Sequence, residues 1–318
     1  MTGKYNIIVR NNKIQFTIEI ERNITIIQGE SGSGKTTLVD LIAMYSRYGK
    51  SSGVTVNSKV NVTVCSTDMW DAFIDKTHNS IIFIDEGNDF VQSAEFAKAV
   101  KASDCYFVIV TRENLDQLPY SVKSILKLRK TASRSKITFN RTYPVYENLK
   151  KTAFSERSLI LTEDKGSGNE MFTKIAADYN CKCISADGKS NIKAVMSEHL
   201  DDRMVIAADG AAFGADMADV YKLVCQNEEK IFLYLPESFE WLILSSDIVR
   251  INGLKEILNA PWEYIESSEF VSWERYFTSL LESATKGTPL QYSKSRLAKA
   301  YLSDENIKKI VDTIITDE

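Results

Sequence analysis

The sequence predicts an α/β protein in which a first α/β domain precedes a second domain with a parallel sheet, and a helical region follows. Three observations lead to this class. A glycine-rich segment near the amino terminus lies between a strand-like run and a run with helical periodicity. After residue 157, four short apolar runs alternate with three helical patterns. Beyond residue 240, helical patterns continue without clear strand signals, including one over residues 293–302 and an amphipathic one that begins at Asp304.

Composition is that of a globular chain that folds without disulfide bonds. Of the 318 residues, 44% are hydrophobic, which is enough for sizeable cores. The five cysteines are scattered and odd in number, and only two histidines accompany them, so we expect reduced thiols and no zinc centre. No apolar run approaches the roughly 18 to 20 residues of a membrane span. We therefore expect a cytoplasmic protein without a membrane partner.

Charge divides the chain near residue 150. Residues 1–152 carry 21 basic and 15 acidic side chains, whereas residues 153–318 carry 18 and 28. A polar, irregular stretch at this point reads as a linker. We expect a first domain over residues 1–150, a second over 151–240, and a helical extension over 241–318 that packs on the second domain.

The first domain begins with three predicted strands, at residues 4–10, 13–20 and 23–29. The third runs into GESGSGKTT, which matches the P-loop pattern, and a helical pattern follows. A loop of this kind wraps its backbone N–H groups around a phosphate chain at a helix amino terminus. The sequence therefore predicts a P-loop nucleotide site, with Lys35 on the β- and γ-phosphates and the Thr36 hydroxyl on Mg²⁺. The expected nucleotide-binding residues are Gly29, Ser31, Gly32, Ser33, Gly34, Lys35, Thr36 and Thr37.

Two further strand ends carry polar groups that suit this site. The apolar run SIIFI ends in Asp85 and Glu86. We expect Asp85 to hold Mg²⁺, as in a Walker B strand, and Glu86 to polarise the attacking water. The run YFVIV ends in Thr111 and Arg112. We expect Thr111 to sense the γ-phosphate, and Arg112 to act on nucleotide in its own chain or across a subunit interface.

With these motifs, residues 1 to about 145 resemble the additional-strand P-loop ATPases, the broad class that contains AAA, RecA-like and ABC-type domains. The resemblance implies ATP and Mg²⁺ as cofactors and ATP hydrolysis as the activity. About 45 residues separate the P-loop from the Asp-Glu strand, and no LSGG-like signature fits between them. A guanine-specific NKxD motif is also missing, which favours adenine.

A basic segment closes the first domain. Seven basic residues occur between residues 123 and 141 with no acidic residue among them. Such a segment suits nucleic acid phosphates. A solvated hairpin and a surface that docks on the acidic second half are the alternatives. The basic residues are Lys123, Lys127, Arg129, Lys130, Arg134, Lys136 and Arg141.

In the second domain, four consecutive predicted strands finish in carboxylates. Parallel strands bring these ends to one edge of the sheet, where grouped carboxylates repel one another unless a cation lies among them. A second Mg²⁺ or Mn²⁺ site is one interpretation. The other is that Asp and Gly simply end strands and cap the helices that follow, as in receiver-like or Rossmann-like domains. The strand ends carry Glu163-Asp164, Asp187-Gly188, Asp209-Gly210 and Glu237.

A glutamate after the first strand and an Asp-Gly after the third resemble the TOPRIM fold of topoisomerases, primases and the overcoming-lysogenization-defect (OLD) nucleases. In the last group an ATPase precedes a TOPRIM domain, as here. The resemblance implies that Glu163 acts as general acid or base and that Glu163 and Asp209 bind metal. Ala211 stands where the fold carries a second metal-binding aspartate, so this chain departs from the pattern of the active enzymes.

Three functions remain open from the sequence. The first is an ATPase coupled to a TOPRIM-like domain that binds or cleaves nucleic acid, in a mobile-element or phage-defence setting. The second is a regulatory ATP switch whose second domain is inactive and works through a protein partner or a homo-oligomer. The third is a P-loop kinase-like enzyme that acts on a small molecule.

Overall fold

The computed structural model describes residues 1–30, 32–66, 68–134, 136–147 and 158–316. The chain divides into two compact units. The first contains Met1–Glu147 and Ala260–Ser272, and the second contains Asn148–Asn259 and Trp273–Glu318. Residues 260–272 therefore join the first unit, although the sequence placed them in the helical extension. Most of the expected linker lies outside the described residues.

A nine-stranded sheet, in the order β4-β1-β2-β9-β8-β3-β7-β6-β5, forms the first unit. The three strands predicted at the amino terminus and the strands before Asp85 and Thr111 are confirmed. The short strands β4 and β5 had no clear sequence signal. The strands are β1 (Tyr5–Arg10), β2 (Ile14–Ile20), β3 (Ile24–Gln28), β4 (Thr55–Asn57), β5 (Asn61–Val64), β6 (Ser80–Ile84), β7 (Tyr106–Val110), β8 (Ile125–Arg134) and β9 (Ile137–Pro144), and the helices are α1 (Lys35–Tyr48), α2 (Trp70–Lys76) and α3 (Ala94–Ala102).

The nine strands form a parallel half and a mixed half. From β8 to β5 all neighbours are parallel, and the central strands are buried along their whole length, as expected of strands covered on both faces. In β1 and β2 burial instead alternates, so one face of these strands packs on the core and the other meets solvent. The sheet of the first unit is therefore mixed, and one face of β1 and β2 is open to solvent.

In the second unit, a four-stranded parallel sheet has the order β11-β10-β12-β13. The predicted alternation of strands and helices over residues 157–238 is confirmed. The first crossover connects β10 to β11 on one side, and the second connects β11 to β12 on the other side of β10. The elements are β10 (Leu159–Thr162), α4 (Ser167–Asp178), β11 (Lys182–Ser185), α5 (Ile192–Glu198), β12 (Met204–Ala207), α6 (Gly214–Gln226) and β13 (Ile231–Tyr234).

Helices dominate the remainder of this unit. The predicted amphipathic helix near the carboxyl end is confirmed, and its apolar positions are buried. The helix predicted over residues 293–302 is wrong for its first part, because only Lys299–Leu302 forms a short 3-10 turn. The helices are α7 (Phe239–Ser245), α8 (Leu254–Asn259), α9 (Trp273–Thr285) and α10 (Asp304–Thr316).

Among the described residues, no helix combines the length and the apolar character that crossing a bilayer requires.

Candidate functional site

The glycine-rich loop joins β3 to α1 and has the backbone that a phosphate cradle needs. Gly29, Gly32 and Gly34 have φ angles of 144°, 81° and 92°, in the region that favours glycine. A Cβ on Gly34 would also lie 3.3 Å from the Phe16 ring, which is fully buried. The loop thus depends on glycine for both its conformation and its packing. Ser31 lies outside the described residues.

Lys35 opens α1 and turns its side chain back along the loop. Its Nζ donates hydrogen bonds to the carbonyl oxygens of Gly29 and Glu30, at 2.5 and 3.0 Å, and only 5% of the residue is exposed. Thr36 and Thr37 follow in the first turn of the helix and are exposed. The cation, the helix amino terminus and the hydroxyls therefore lie together where a polyphosphate would bind.

Strand order brings the other predicted residues to the same edge of the sheet. Strand β7 lies between β3 and β6, and all three strands are parallel, so the residues that follow them share one edge. Asp85 and Glu86 follow β6, and Thr111 and Arg112 follow β7. This is the arrangement expected of an additional-strand P-loop site.

Specific contacts fix these side chains. The Arg112 Nε lies 2.9 Å from the Glu86 Oε1, so the two residues form an ion pair within one chain. The Thr111 hydroxyl oxygen accepts a hydrogen bond from the Glu113 N–H, at 3.0 Å. Asp85 accepts one from the Glu86 N–H, at 2.9 Å. Glu86 is thus positioned by an arginine from the neighbouring strand end.

Burial raises the pKa of Asp85, while the nearby Lys35 ammonium opposes the rise. The site offers hard oxygen donors, the Thr36 hydroxyl and the Asp85 carboxylate, of the kind that Mg²⁺ prefers. The residues present therefore fit a magnesium–nucleotide complex.

The loop geometry and the β3-β7-β6 order define this unit as a P-loop ATPase. A family model described as AAA domain matches residues 4–309, so the chain belongs to the AAA domain family. Membership in this family indicates ATP binding and hydrolysis, typically with Mg²⁺. No curated protein and no solved structure matches the chain.

In the second unit, Glu163 and Asp209 come together. The Glu163 Oε2 accepts a hydrogen bond from the Asp209 N–H, at 3.2 Å, and the Asp209 Oδ1 accepts one from the Phe239 N–H, at 2.8 Å. The two carboxylates follow β10 and β12, the parallel neighbours from which later strands are added in opposite directions along the sheet. In open α/β sheets, ligands bind at the carboxyl ends of such a strand pair.

The charge balance of this cluster depends on protonation and on one lysine. Burial, together with nearby carboxylates, raises the pKa of Glu163 to about 7 and raises that of Asp209 well above its usual range. Lys294 forms an ion pair with Glu274 and also lies near Glu240 and Asp209. Lys294 thus supplies one positive charge to a group of buried carboxyls whose pKa values are raised.

Three residues of this site, all on later elements, were not predicted from the sequence. Glu240 is fully buried; its Oε1 accepts a hydrogen bond from the Tyr292 hydroxyl, at 2.7 Å, and its Oε2 has no hydrogen-bond partner among the described residues. The Tyr292 hydroxyl also bonds to the Ser167 hydroxyl, at 2.7 Å. Glu240, Tyr292 and Lys294 line a small cavity of ≈ 40 Å³ with Glu163 and Asp209. The sequence signal for Glu240 was an acid among apolar residues in the first turn of a helix.

The other strand-end carboxylates do not complete a metal site. Asp187 is exposed and pairs with Lys165, at 2.6 Å. Ala211, at the position where a second aspartate was expected, is buried. Across the described ranges, no three His, Cys, Asp or Glu side chains are grouped so that they could hold a metal ion. The second metal site stays a prediction.

Proposed function

We propose that the first unit binds ATP with Mg²⁺ and hydrolyses it. The P-loop N–H groups and Lys35 bind the phosphates, and the Thr36 hydroxyl and Asp85 hold Mg²⁺, which neutralises phosphate charge when bound. Glu86 orients and polarises the attacking water, and Thr111 contacts the γ-phosphate. The observation that carries this proposal is the common sheet edge shared by Lys35, Asp85-Glu86 and Thr111-Arg112.

Arg112 has a double role in this proposal. Its guanidinium holds Glu86 in the same chain, and half of its side chain remains exposed; we propose that it also contacts a bound phosphate. We therefore place Arg112 in its own active site, where it positions the carboxylate.

Two variants test the ATPase. Lys35→Ala is expected to abolish both ATP binding and phosphate release. Glu86→Gln is expected to retain ATP binding and to lose hydrolysis by at least about 100-fold, as general bases typically contribute. Lys50→Ala and Glu95→Gln change exposed residues of the same charge and serve as controls. Full hydrolysis by Lys35→Ala would refute the assignment, and a phosphorylated product without free phosphate would favour a kinase-like reaction.

For the second unit, we propose a TOPRIM-like domain that binds nucleic acid under control of the ATP cycle, in a mobile-element or phage-defence setting. Support comes from Glu163 and Asp209, which occupy the ends of the two strands where α/β domains bind ligands. Their contact through the Asp209 N–H makes them one site.

The alternative is a regulatory switch whose second unit does no chemistry and acts through a protein partner. Ala211 and the pairing of Lys294 with Glu274 favour it. A lysine inside a carboxylate cluster supplies the positive charge that a metal would otherwise provide, so the cluster needs no metal for electrostatic balance.

Cleavage of DNA and RNA in Mg²⁺ or Mn²⁺, with and without ATP, separates the two proposals. Cleavage that is lost in Glu163→Ala and altered in Lys35→Ala would establish a nuclease that ATP controls. Intact ATP hydrolysis without cleavage, and without any nucleic acid bound, would favour the switch. Glu198→Gln, which removes an exposed negative charge of the same unit, is the control.

A further inference from the structure

One face of the mixed half of the large sheet is open to solvent. Along β2, Phe16 and Ile18 are fully buried, and the residues between and beside them point the other way. The same alternation holds in β1 and in the first part of β8, where Leu128 is buried. We call the solvent side of strands β1, β2, β9 and β8 the outer face.

The strand registers place two arginines side by side at the centre of this face. Arg129 on β8 pairs directly with Arg141 on β9, which in turn pairs with Thr17 on β2. Like charges directly opposite each other in an antiparallel pair are destabilising. Arg141 makes no ion pair with any other described residue, and the nearest acidic partner of Arg129 is Glu147, at 4.0 Å. Within the described residues, this pairing of like charges is offset only by Glu147, which favours an external anion as a further partner.

Aromatic side chains alternate with the central arginine along β9. Phe139, Arg141 and Tyr143 are two residues apart and therefore lie on the same face, separated by about 6.7 Å per step. Phe139 and Tyr143 are half-buried. The Arg129 guanidinium lies 5.5 Å from the centre of the Tyr143 ring. Phe139, Arg141 and Tyr143 thus form a line along β9 on the outer face, and Arg129 lies beside this line on β8.

Most of the other charged side chains on the outer face are also basic. Lys127 pairs with Tyr143 in the strand register, and Arg10 lies at the end of β1. Glu19 is an acid on this face, and it pairs with Lys4, at 2.8 Å. The face therefore carries a net positive charge around the β9 line.

We propose that the outer face binds single-stranded nucleic acid, with phosphates on Arg129 and Arg141 and bases stacked on Tyr143 and Phe139. Stacking on aromatic side chains beside cations is the mode by which sheets and grooves hold single strands. An open four-stranded surface presents such side chains to unpaired bases, whereas the bases of a duplex are stacked on one another and not available to them. This inference goes beyond the proposed function and rests on it for the link between ATP and nucleic acid.

Fluorescence anisotropy with a labelled oligothymidylate tests the proposal on the full chain. The double variant Arg129→Ala/Arg141→Ala is expected to weaken binding and to reduce the dependence of log affinity on log salt by about 1.4, the value for two lost contacts to a single strand. Tyr143→Ala is expected to weaken binding at least about fivefold through lost stacking. The double variant Lys98→Ala/Lys101→Ala removes two exposed charges from α3 and is expected to bind like the parent. A thermal melt of each variant confirms folding.

Three outcomes would overturn the inference: unchanged oligonucleotide binding in the folded Arg129/Arg141 variant, equal binding of a duplex with no effect of Tyr143→Ala, and binding of anionic lipid vesicles in place of the oligonucleotide. Lys35→Ala is expected to lose ATP hydrolysis and to keep oligonucleotide binding, which separates this inference from the proposed function. In the parent chain, oligonucleotide binding without any ATP hydrolysis would refute the ATPase and leave the outer face intact, whereas ATP hydrolysis without oligonucleotide binding would do the reverse.

Discussion

Replacing Glu163 by glutamine is expected to stabilise the second unit at pH 8. The carboxyl is largely buried among other acids, and this environment raises its pKa from 4.5 to about 7. Glutamine keeps the shape of the side chain and an oxygen that can accept the Asp209 N–H. It removes the negative charge, and with it part of the repulsion that also raises the pKa of Asp209.

The magnitude follows from the shift in pKa. Between pH 4.5 and about 7 the folded state binds a proton that the unfolded state has released, so the free energy of unfolding falls as pH rises through this window. Above pH 7 the carboxylate is charged in both states and the full penalty remains. A shift of this size corresponds to at most about 3 kcal/mol, and partial exposure of the side chain reduces the expected gain to about 1–3 kcal/mol.

Urea denaturation and hydrogen–deuterium exchange of the full chain at pH 5 and pH 8 measure this effect. Exchange in peptides that cover β10 and β12 is expected to slow at pH 8 in Glu163→Gln, and the difference between variant and parent is expected to shrink at pH 5. Glu198→Gln, an exposed acid of the same unit, is the control. Equal stability of Glu163→Gln and parent at both pH values would refute the assignment of a buried, repelled carboxylate.

Other substitutions probe the same cluster, each by the urea midpoint of the full chain. Lys294→Met removes the cation that pairs with Glu274 and is expected to destabilise by about 1–3 kcal/mol at pH 8; the loss should largely disappear in the double variant with Glu274→Gln, and an equal loss there would argue against the pair. Tyr292→Phe leaves Glu240 without its hydroxyl donor and should cost about 1–3 kcal/mol, so an unchanged midpoint would contradict the buried hydrogen bond. Gly210→Ala would place a Cβ 2.7 and 2.8 Å from two backbone carbonyl oxygens and should also cost about 1–3 kcal/mol, so an unchanged midpoint would contradict this close approach.

Local signals predicted most elements correctly because each depends on a short stretch of chain. Periodicity located the strands around the P-loop and the four parallel strands of the second unit. It could not supply the strand order, which depends on long-range pairing and decides that β7 separates β3 from β6. The ion pair between Arg112 and Glu86 follows from that order, so it was not predictable from either residue alone.

The same limit explains the acidic cluster. Glu163 and Asp209 were predicted because both end strands of one sheet, whereas Lys294 reaches the cluster from a segment more than 80 residues further along the chain. That segment has a helical pattern but forms no helix before residue 299, and the Lys294 carbonyl oxygen accepts a hydrogen bond from the Ser167 N–H, at 3.0 Å. A tertiary contact outweighs local propensity at this position.

The first unit is discontinuous in sequence, which has a consequence for its synthesis. Residues 260–272 supply contacts to its amino-terminal part, including a hydrogen bond from the Gly3 N–H to the Trp262 carbonyl oxygen, at 2.7 Å, and one from the Asn23 side chain to the Val271 carbonyl oxygen, at 2.9 Å. A ribosome that has finished Glu147 must therefore translate more than 100 further residues, for about 6 to 25 s, before the ATPase unit can be completed. During that interval the surface that residues 260–272 later cover stays exposed in the nascent first unit, so a chaperone has time to bind it.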